Sequence, residues 1–299
     1  MFMEGVVAMN VIQFQGIIFC LISLIVVVIS AVIPKFDKNV ELIFVATLIL
    51  VLGVPHGALD TIFARELYGV RTVGAWLRFI FIYLLLVGAV VLLWYYAPLV
   101  FLIGFLLISI AHFSGDPQGD VPWLVRILYG GAIIFIPLNG HTGEIAQLFG
   151  MLVGDGVSQT LLPWLERAAL PWLLAFLIAT IYTMWTRATY WFEFICLALL
   201  AYFVSPLISF TVFFCAMHSA RHIIRTAKYS SQTSLTLLLG ATLLPMIGVV
   251  ILSAIAWVIL REQAIDGRMV QIIFVGLAAL TVPHMALVEQ VRLKGWIAK

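Results

Sequence analysis

Two histidines four residues apart, His218 and His222, sit in the stretch Cys215-Ala-Met-His-Ser-Ala-Arg-His-Ile-Ile-Arg225. On a helix that spacing places both imidazoles on one face, one turn apart, where they can hold a single metal ion. Neutral imidazole offers a lone pair near neutral pH, which makes histidine the commonest metal ligand. The pair closes a long apolar run, Leu207 to Met217. Ionisable groups at membrane depth are costly to bury and mark functional sites. Arg221 and Arg225 also fit a plainer reading, a cytoplasmic helix end with two interfacial histidines.

The chain has six histidines, the others being His56, His112, His141 and His284. Asp60 follows His56 by four residues and Asp116 follows His112 by four. On continuous helix each carboxylate would lie beneath its own histidine and accept the proton of the far ring nitrogen, fixing the tautomer. Near helix ends, both aspartates also fit as solvated loop residues. Leu52-Gly-Val-Pro-His-Gly-Ala-Leu59 is echoed by Leu280-Thr-Val-Pro-His-Met-Ala-Leu287, which suggests one local geometry used twice. A proline inside each piece frees a backbone carbonyl and bends the helix.

The elements that must position these residues are membrane helices. The composition is 64% hydrophobic and 10% charged over 299 residues, too little polar surface for a water-soluble domain. The expected fold is an all-α, polytopic transmembrane bundle of about 8–10 spans in one integral membrane domain, residues 1–299. The apolar runs are Val11–Ile33, Val40–Ile62, Thr72–Tyr96, Pro98–Phe113, Val121–Leu138, Leu161–Trp185, Tyr190–Val204, Pro206–Ile224, Ser234–Leu260 and Met269–Val288. A short amphipathic piece, Ile145–Leu152, lies in the one long connection. Met1–Asn10 carries no basic residue, so the first run reads as a retained span and not as a cleaved signal. Net charge is +2 and there is no basic stripe, so nucleic acid is not an expected partner. Cys20, Cys196 and Cys215 lie in apolar runs without Cys-x-x-Cys spacing, which argues against disulfides and thiolate zinc sites.

Lys and Arg bias orients the chain. With the N-terminus inside, most basic residues, including Arg65, Arg71, Arg126, Arg187, Arg225 and Lys294, fall on the inner side. Lys35, Lys38, Arg167, Arg261 and Arg268 fall outside. Both termini are therefore expected in the cytoplasm, with the protein a multi-pass component of the cell (inner) membrane. In this topology His56, His112, His218, His222 and His284 all come late in helices running in the same direction, at similar depth. His141 maps to the opposite side. Clustering at one depth is what a shared site inside a bundle requires.

Imidazoles alone suit iron, zinc or copper. An all-histidine site with an open position suits a redox metal that must meet dioxygen. No His-Glu-x-x-His is present, which disfavours an intramembrane zinc protease. Phe113, Phe214, Met217 and Met285 lie close to the histidines in sequence and are the candidate substrate contacts. The plain reading of most such side chains is packing or lipid contact. An apolar wall around a metal at that depth argues for a lipophilic substrate entering from the bilayer.

The pieces Val54-Pro-His-Gly-Ala-Leu-Asp60, Ala111-His-Phe-Ser-Gly-Asp116, His218-Ser-Ala-Arg-His222 and Pro283-His-Met285 resemble the motifs of the Brp/Blh family of membrane proteins. The resemblance runs from the second helix to the tenth. His-Ser-x-Arg-His and Pro-His-Met are its most specific pieces. Ser114 stands where the family has Gly after His-Phe. The resemblance implies cleavage of β-carotene by dioxygen at the central double bond to give two retinal molecules. It implies one Fe(2+) held by His56, His112, His218 and His222, with His284 beside it in the surrounding shell or the substrate cavity. It places no role on His141. An opsin is then an expected acceptor of the product. Two other classes fit the bare constellation: a His/Asp transporter or proton relay, and a non-catalytic carotenoid- or retinal-binding partner of an opsin.

Overall fold

In a computed structural model, residues 10–33, 37–186, 188, 190–229 and 235–293 are described, and among them every regular element is helical. Met1–Met9 and the basic residues Lys35, Arg187 and Lys294, used above to orient the chain, lie outside the described residues.

The helices, in chain order, are α1 (Val11–Val32), α2 (Lys38–Leu48), a π-helical turn (Ile49–Gly53), α3 (Pro55–Ala58), α4 (Asp60–Tyr68), α5 (Val73–Tyr96), α6 (Pro98–Phe113) and α7 (Trp123–Phe135). After a short 3₁₀ turn come α8 (Thr142–Val153), α9 (Asp155–Trp185), α10 (Trp191–Phe203), α11 (Pro206–Val212), a second π-helical stretch (Phe213–Ser219), α12 (Ala220–Tyr229), α13 (Leu235–Ile259) and α14 (Ile265–Leu293). The ten apolar runs each become a helix or an interrupted helix, and α8 is the amphipathic piece.

Among the described residues, seven helical stretches are long and apolar enough to cross a membrane when Lys38–Tyr68 and Pro206–Lys228 are each taken as one interrupted helix, so this is a multi-pass membrane protein. Three further apolar helices, Pro98–Phe113, Trp123–Phe135 and Trp191–Phe203, are shorter. At 1.5 Å per residue they fall short of a hydrocarbon core of about 30 Å. Their middle turns are buried, with Leu102, Tyr129 and Leu197 inaccessible, whereas Trp123, Leu124 and Phe203 at their ends are exposed. The long helices α5 and α13 lie outermost. Residues such as Phe81, Leu85, Leu244 and Val258 are more than half exposed, an arrangement only a lipid solvent tolerates on this scale.

Local chemistry sets the boundaries. Asn10 and Gln13 form a capping box that opens α1, and Asp37 caps α2 through the Asn39 and Val40 amides. Gly69 closes α4 in a left-handed conformation, φ 61°. Pro98 opens α6 at the position where its missing N–H costs nothing. Around this frame α1 lies along α10, α14 along α5, and α7 along α9. The two π-helical stretches pack against one another near the middle of the bundle.

Candidate metal centre

Pro55 has no amide to donate, and the helix around it departs from the α pattern. Just before it the chain widens to a π turn, with the Val54 N–H donating to Ile49 O at 2.8 Å. Just after it the chain tightens, with the Gly57 N–H donating to Val54 O at 3.1 Å. The Gly53 carbonyl is thereby released from the helix ladder. It accepts from His56 Nδ1 at 2.6 Å and from the Ser219 hydroxyl at 3.1 Å. Gly53 itself has no room for a side chain, because a Cβ there would run into the Phe214 ring. π-turns of this kind concentrate at functional sites.

Five imidazoles meet at this point. Ring centroids of His56 lie 5.0 Å from His218, 5.4 Å from His222 and 5.2 Å from His284. His112 lies 4.3 Å from His218 and 5.2 Å from His284. His56, His218, His222 and His284 are all buried. The expected gathering of these five rings is therefore observed. His141 lies apart, at the opposite end of α7, with its Nε2 at 3.2 Å from Tyr202 O.

Three of the rings have their tautomer set by what holds them from outside. His56 Nδ1 faces a carbonyl, which only accepts. His218 Nδ1 faces the Asp116 carboxylate at 3.1 Å, and His284 Nδ1 faces Asp60 Oδ1 at 2.7 Å. Each Nδ1 must carry the proton, so each Nε2 presents a lone pair. The Nε2 atoms of His218 and His112 stand 2.9 Å apart. Two nitrogens about 2.1 Å from one ion, at right angles, would be about 3 Å apart. The Nε2 of His284 is buried without a hydrogen-bond partner, although burying such an atom costs about 1–3 kcal/mol. Convergent lone pairs and an orphaned buried nitrogen fit a bound cation, and the ligand atoms of His56, His112 and His284 lie within 4.8 Å of one another.

The two aspartates do not serve the histidines of their own motifs. Asp60 reaches His284 on α14, and Asp116 reaches His218 on the second π-helical stretch. The reason lies in the backbone. Between His56 and Asp60 the helix winds through i→i+3 bonds, Leu59 N–H to His56 O and Ile62 N–H to Leu59 O, so Asp60 is turned past His56. After Phe113 the helix ends in similar tight turns, Gly115 N–H to His112 O and Asp116 N–H to Phe113 O. Asp116 thus stands in a loop and not one α-turn below His112. The other oxygen of Asp60 accepts from the Tyr83 hydroxyl at 3.0 Å.

Behind Asp116 lies a buried polar network that periodicity and spacing did not reveal. Arg221 is fully buried and forms a two-pronged pair with Glu193, Nη2 to Oε1 at 2.6 Å and Nη1 to Oε2 at 2.9 Å. Its Nη1 also donates to Asp116 O, and its Nε donates to Gln15 Oε1 at 2.9 Å. Gln15 in turn donates to Ala216 O at 2.7 Å, a carbonyl of the π-helical stretch. Arg225 adds donors to Gly115 O and Asp116 O. Two arginines therefore pin the loop whose carboxylate pins His218. The available signal was Glu193 inside an otherwise apolar run.

Two clefts flank His112. One is apolar, bordered by Phe105, Phe113, Phe210, Phe214 and Leu277, with Ser109 and Thr281. The other is polar and contains Asp116, His218, His222, Arg225, Met285 and Glu289. Phe113 and Phe214 thus face an apolar cavity beside the imidazoles, and Met285 faces the polar one. Met217 borders neither. It is fully buried with its sulfur 3.8 Å from Gln15 Nε2 on the α1 side. The π-helical stretch changes the angular step per residue and carries Met217 to the far side from Phe214.

A family model described as beta-carotene 15,15'-dioxygenase matches residues 47–292. That range includes all five clustered histidines and both aspartates. The chain is 32% identical to a beta-carotene 15,15'-dioxygenase of uncultured marine bacterium 66A03 over 260 residues, covering 81% of this chain and 90% of that one. It is 28% identical over 288 residues to a probable beta-carotene 15,15'-dioxygenase Blh of Halobacterium salinarum, covering 80% of this chain and 81% of that one. No solved structure matches.

Proposed function

Because the chain belongs to the beta-carotene 15,15'-dioxygenase family and is a carotenoid-cleaving dioxygenase, we propose that it cuts β-carotene at the central double bond to give two molecules of all-trans-retinal. We further assign one iron(II) ion to His56, His112, His218 and His222 as the metal of that reaction. Iron held by neutral imidazoles supplies the activation of dioxygen that a hydrocarbon substrate and this set of side chains cannot provide.

The protein's own work is holding and excluding. The Gly53 carbonyl and the Asp116 carboxylate keep the Nδ1 protons of His56 and His218 pointing away from the centre. Their Nε2 lone pairs are then aimed inward at no cost at the moment of reaction. The reaction itself moves no proton: one C=C bond and one dioxygen become two C=O groups, with all atoms accounted for. Asp60 and Asp116 accordingly serve as fixed acceptors for imidazole protons and not as general acids or bases. The apolar cleft of Phe105, Phe113, Phe210 and Phe214 offers ring faces to a flat polyene and keeps water from the reacting bond. Distance from the ends of this cleft would select which double bond is cut.

The observation that carries this reading is the convergence of imidazole lone pairs beside an aromatic cleft inside an apolar bundle. Five rings gathered in one cluster also speak against a proton relay, which needs groups stepped across the membrane. The inner membrane, with both termini on the cytoplasmic side, is the location that the charge bias favours, and the bilayer is the source of substrate. The test is expression in cells that make β-carotene. Colour should fade and retinal should appear in the extract, and purified protein should contain about one iron per chain. Unchanged colour with fully inserted, iron-loaded protein would refute it.

A further inference from the structure

We propose that His284 is a fifth imidazole ligand of the same metal, aimed by Asp60 and Tyr83. The proposal rests on the reading that the cluster holds a metal. His284 is 2% exposed, and its two ring nitrogens are in opposite situations. Nδ1 donates to Asp60 Oδ1 at 2.7 Å, and Asp60 Oδ2 accepts from Tyr83 at 3.0 Å, so α5, α4 and α14 are joined through one carboxylate. Nε2 is buried with no hydrogen-bond partner. A carboxylate behind a histidine whose other nitrogen is bare is the arrangement that orients imidazoles toward metals and raises their basicity.

Position agrees with this. The His284 ring centroid is 5.2 Å from those of His56 and His112 and 5.0 Å from that of His222. Ligand atoms of His56, His112 and His284 all fall within 4.8 Å of one another, near enough for modest ring rotations to bring all three onto one ion. The other role for this residue, a wall of the substrate cavity, fits less well. His284 does not border the apolar cleft, and a bare lone pair facing hydrocarbon would go unsatisfied. The repeated Val-Pro-His piece supports the same conclusion. Val54-Pro55-His56 and Val282-Pro283-His284 deliver one ring each to a common point, held from behind by a carbonyl in one case and a carboxylate in the other.

The experiment uses the full chain in detergent, reloaded anaerobically with iron(II). Iron affinity is measured by chelator competition, and the number of bound imidazoles by X-ray absorption. His284→Gln should weaken iron binding by about 10- to 100-fold and remove one imidazole from the shell, and Asp60→Ala should weaken it about tenfold or more. His56→Ala is the reference for loss of a ligand. If His284→Gln binds iron as the parent does while His56→Ala does not, the fifth-ligand proposal falls and the iron reading stands. If the parent binds no iron, both fall. Should His284→Gln fail to fold, Asp60→Ala, which removes the acceptor of Nδ1, decides alone: parental affinity in that variant overturns the proposal.

Discussion

Asp60 Oδ1 accepts the His284 Nδ1 proton at 2.7 Å across 224 positions of chain. The carboxylate of the first Val-Pro-His piece therefore serves the histidine of the second. One consequence is that α4 and α14 cannot shift relative to one another without turning the His284 ring. Another is that the site is knitted from the two ends of the chain and completes only when the last helix docks.

Replacing His218 or His222 by Ala should abolish retinal formation and lose bound iron, because each removes a donor from the cluster. Iron content of the purified, membrane-inserted variant is the check. Full iron and full activity in His218→Ala would end the proposed ligand set.

Asp116→Ala should act through His218, leaving its ring free to rotate and its tautomer unset. A loss of about 10- to 100-fold in iron affinity is expected, with retinal formation restored in part at high iron. Asp116→Asn should fall between the two, since the amide oxygen still accepts from Nδ1. Chelator competition on the three proteins gives the order.

Arg221 and Glu193 form a fully buried ion pair, and removing one partner leaves an uncompensated charge. Arg221→Met or Glu193→Gln should each destabilise the fold by about 3–5 kcal/mol, whereas Arg221→Met combined with Glu193→Leu should recover much of that loss. Thermal unfolding in detergent distinguishes them. Equal destabilisation in single and double variants would mean the pair is not coupled. Even a stable double variant should bind iron less well, because the donors to Asp116 O are reduced from two arginines to one.

Gly53→Ala places a methyl group where the Phe214 ring now lies. Overpacking of this kind costs about 1–3 kcal/mol. Phe214 also borders the apolar cleft, so turnover of β-carotene should fall more than iron binding does. Restoration of turnover by Phe214→Leu in the Gly53→Ala background would confirm the clash as the cause.

Phe113 and Phe210 stand beside Phe214 along the apolar cleft. Phe210→Ala should widen it, raise KM for β-carotene, and yield some apocarotenals cut away from the central bond. Product chain lengths by chromatography are the measurement. Only retinal from this variant would show that the aromatic wall does not set the cleavage position.

Hydropathy and histidine position together were enough to place ten helical stretches and to group five of six histidines, which the structure clusters. Both follow from one-dimensional facts: the lipid core demands apolar runs of known length, and alternating crossings fix which helix ends coincide. The partners of Asp60 and Asp116 were not legible. Spacing of four residues means one α-turn only while the helix stays α, and here proline, π turns and i→i+3 bonds change the step. Nor was the Arg221–Glu193–Gln15 network, since its members lie on α12, α10 and α1, and nothing local marks them as neighbours. The sequence by itself determined that this is an apolar helical bundle with a group of imidazoles in common. Which carboxylate holds which ring, and where His284 points, was decided only in three dimensions, because hydrogen bonds between side chains depend on helix rotation. Rotation is set by packing against every other helix at once.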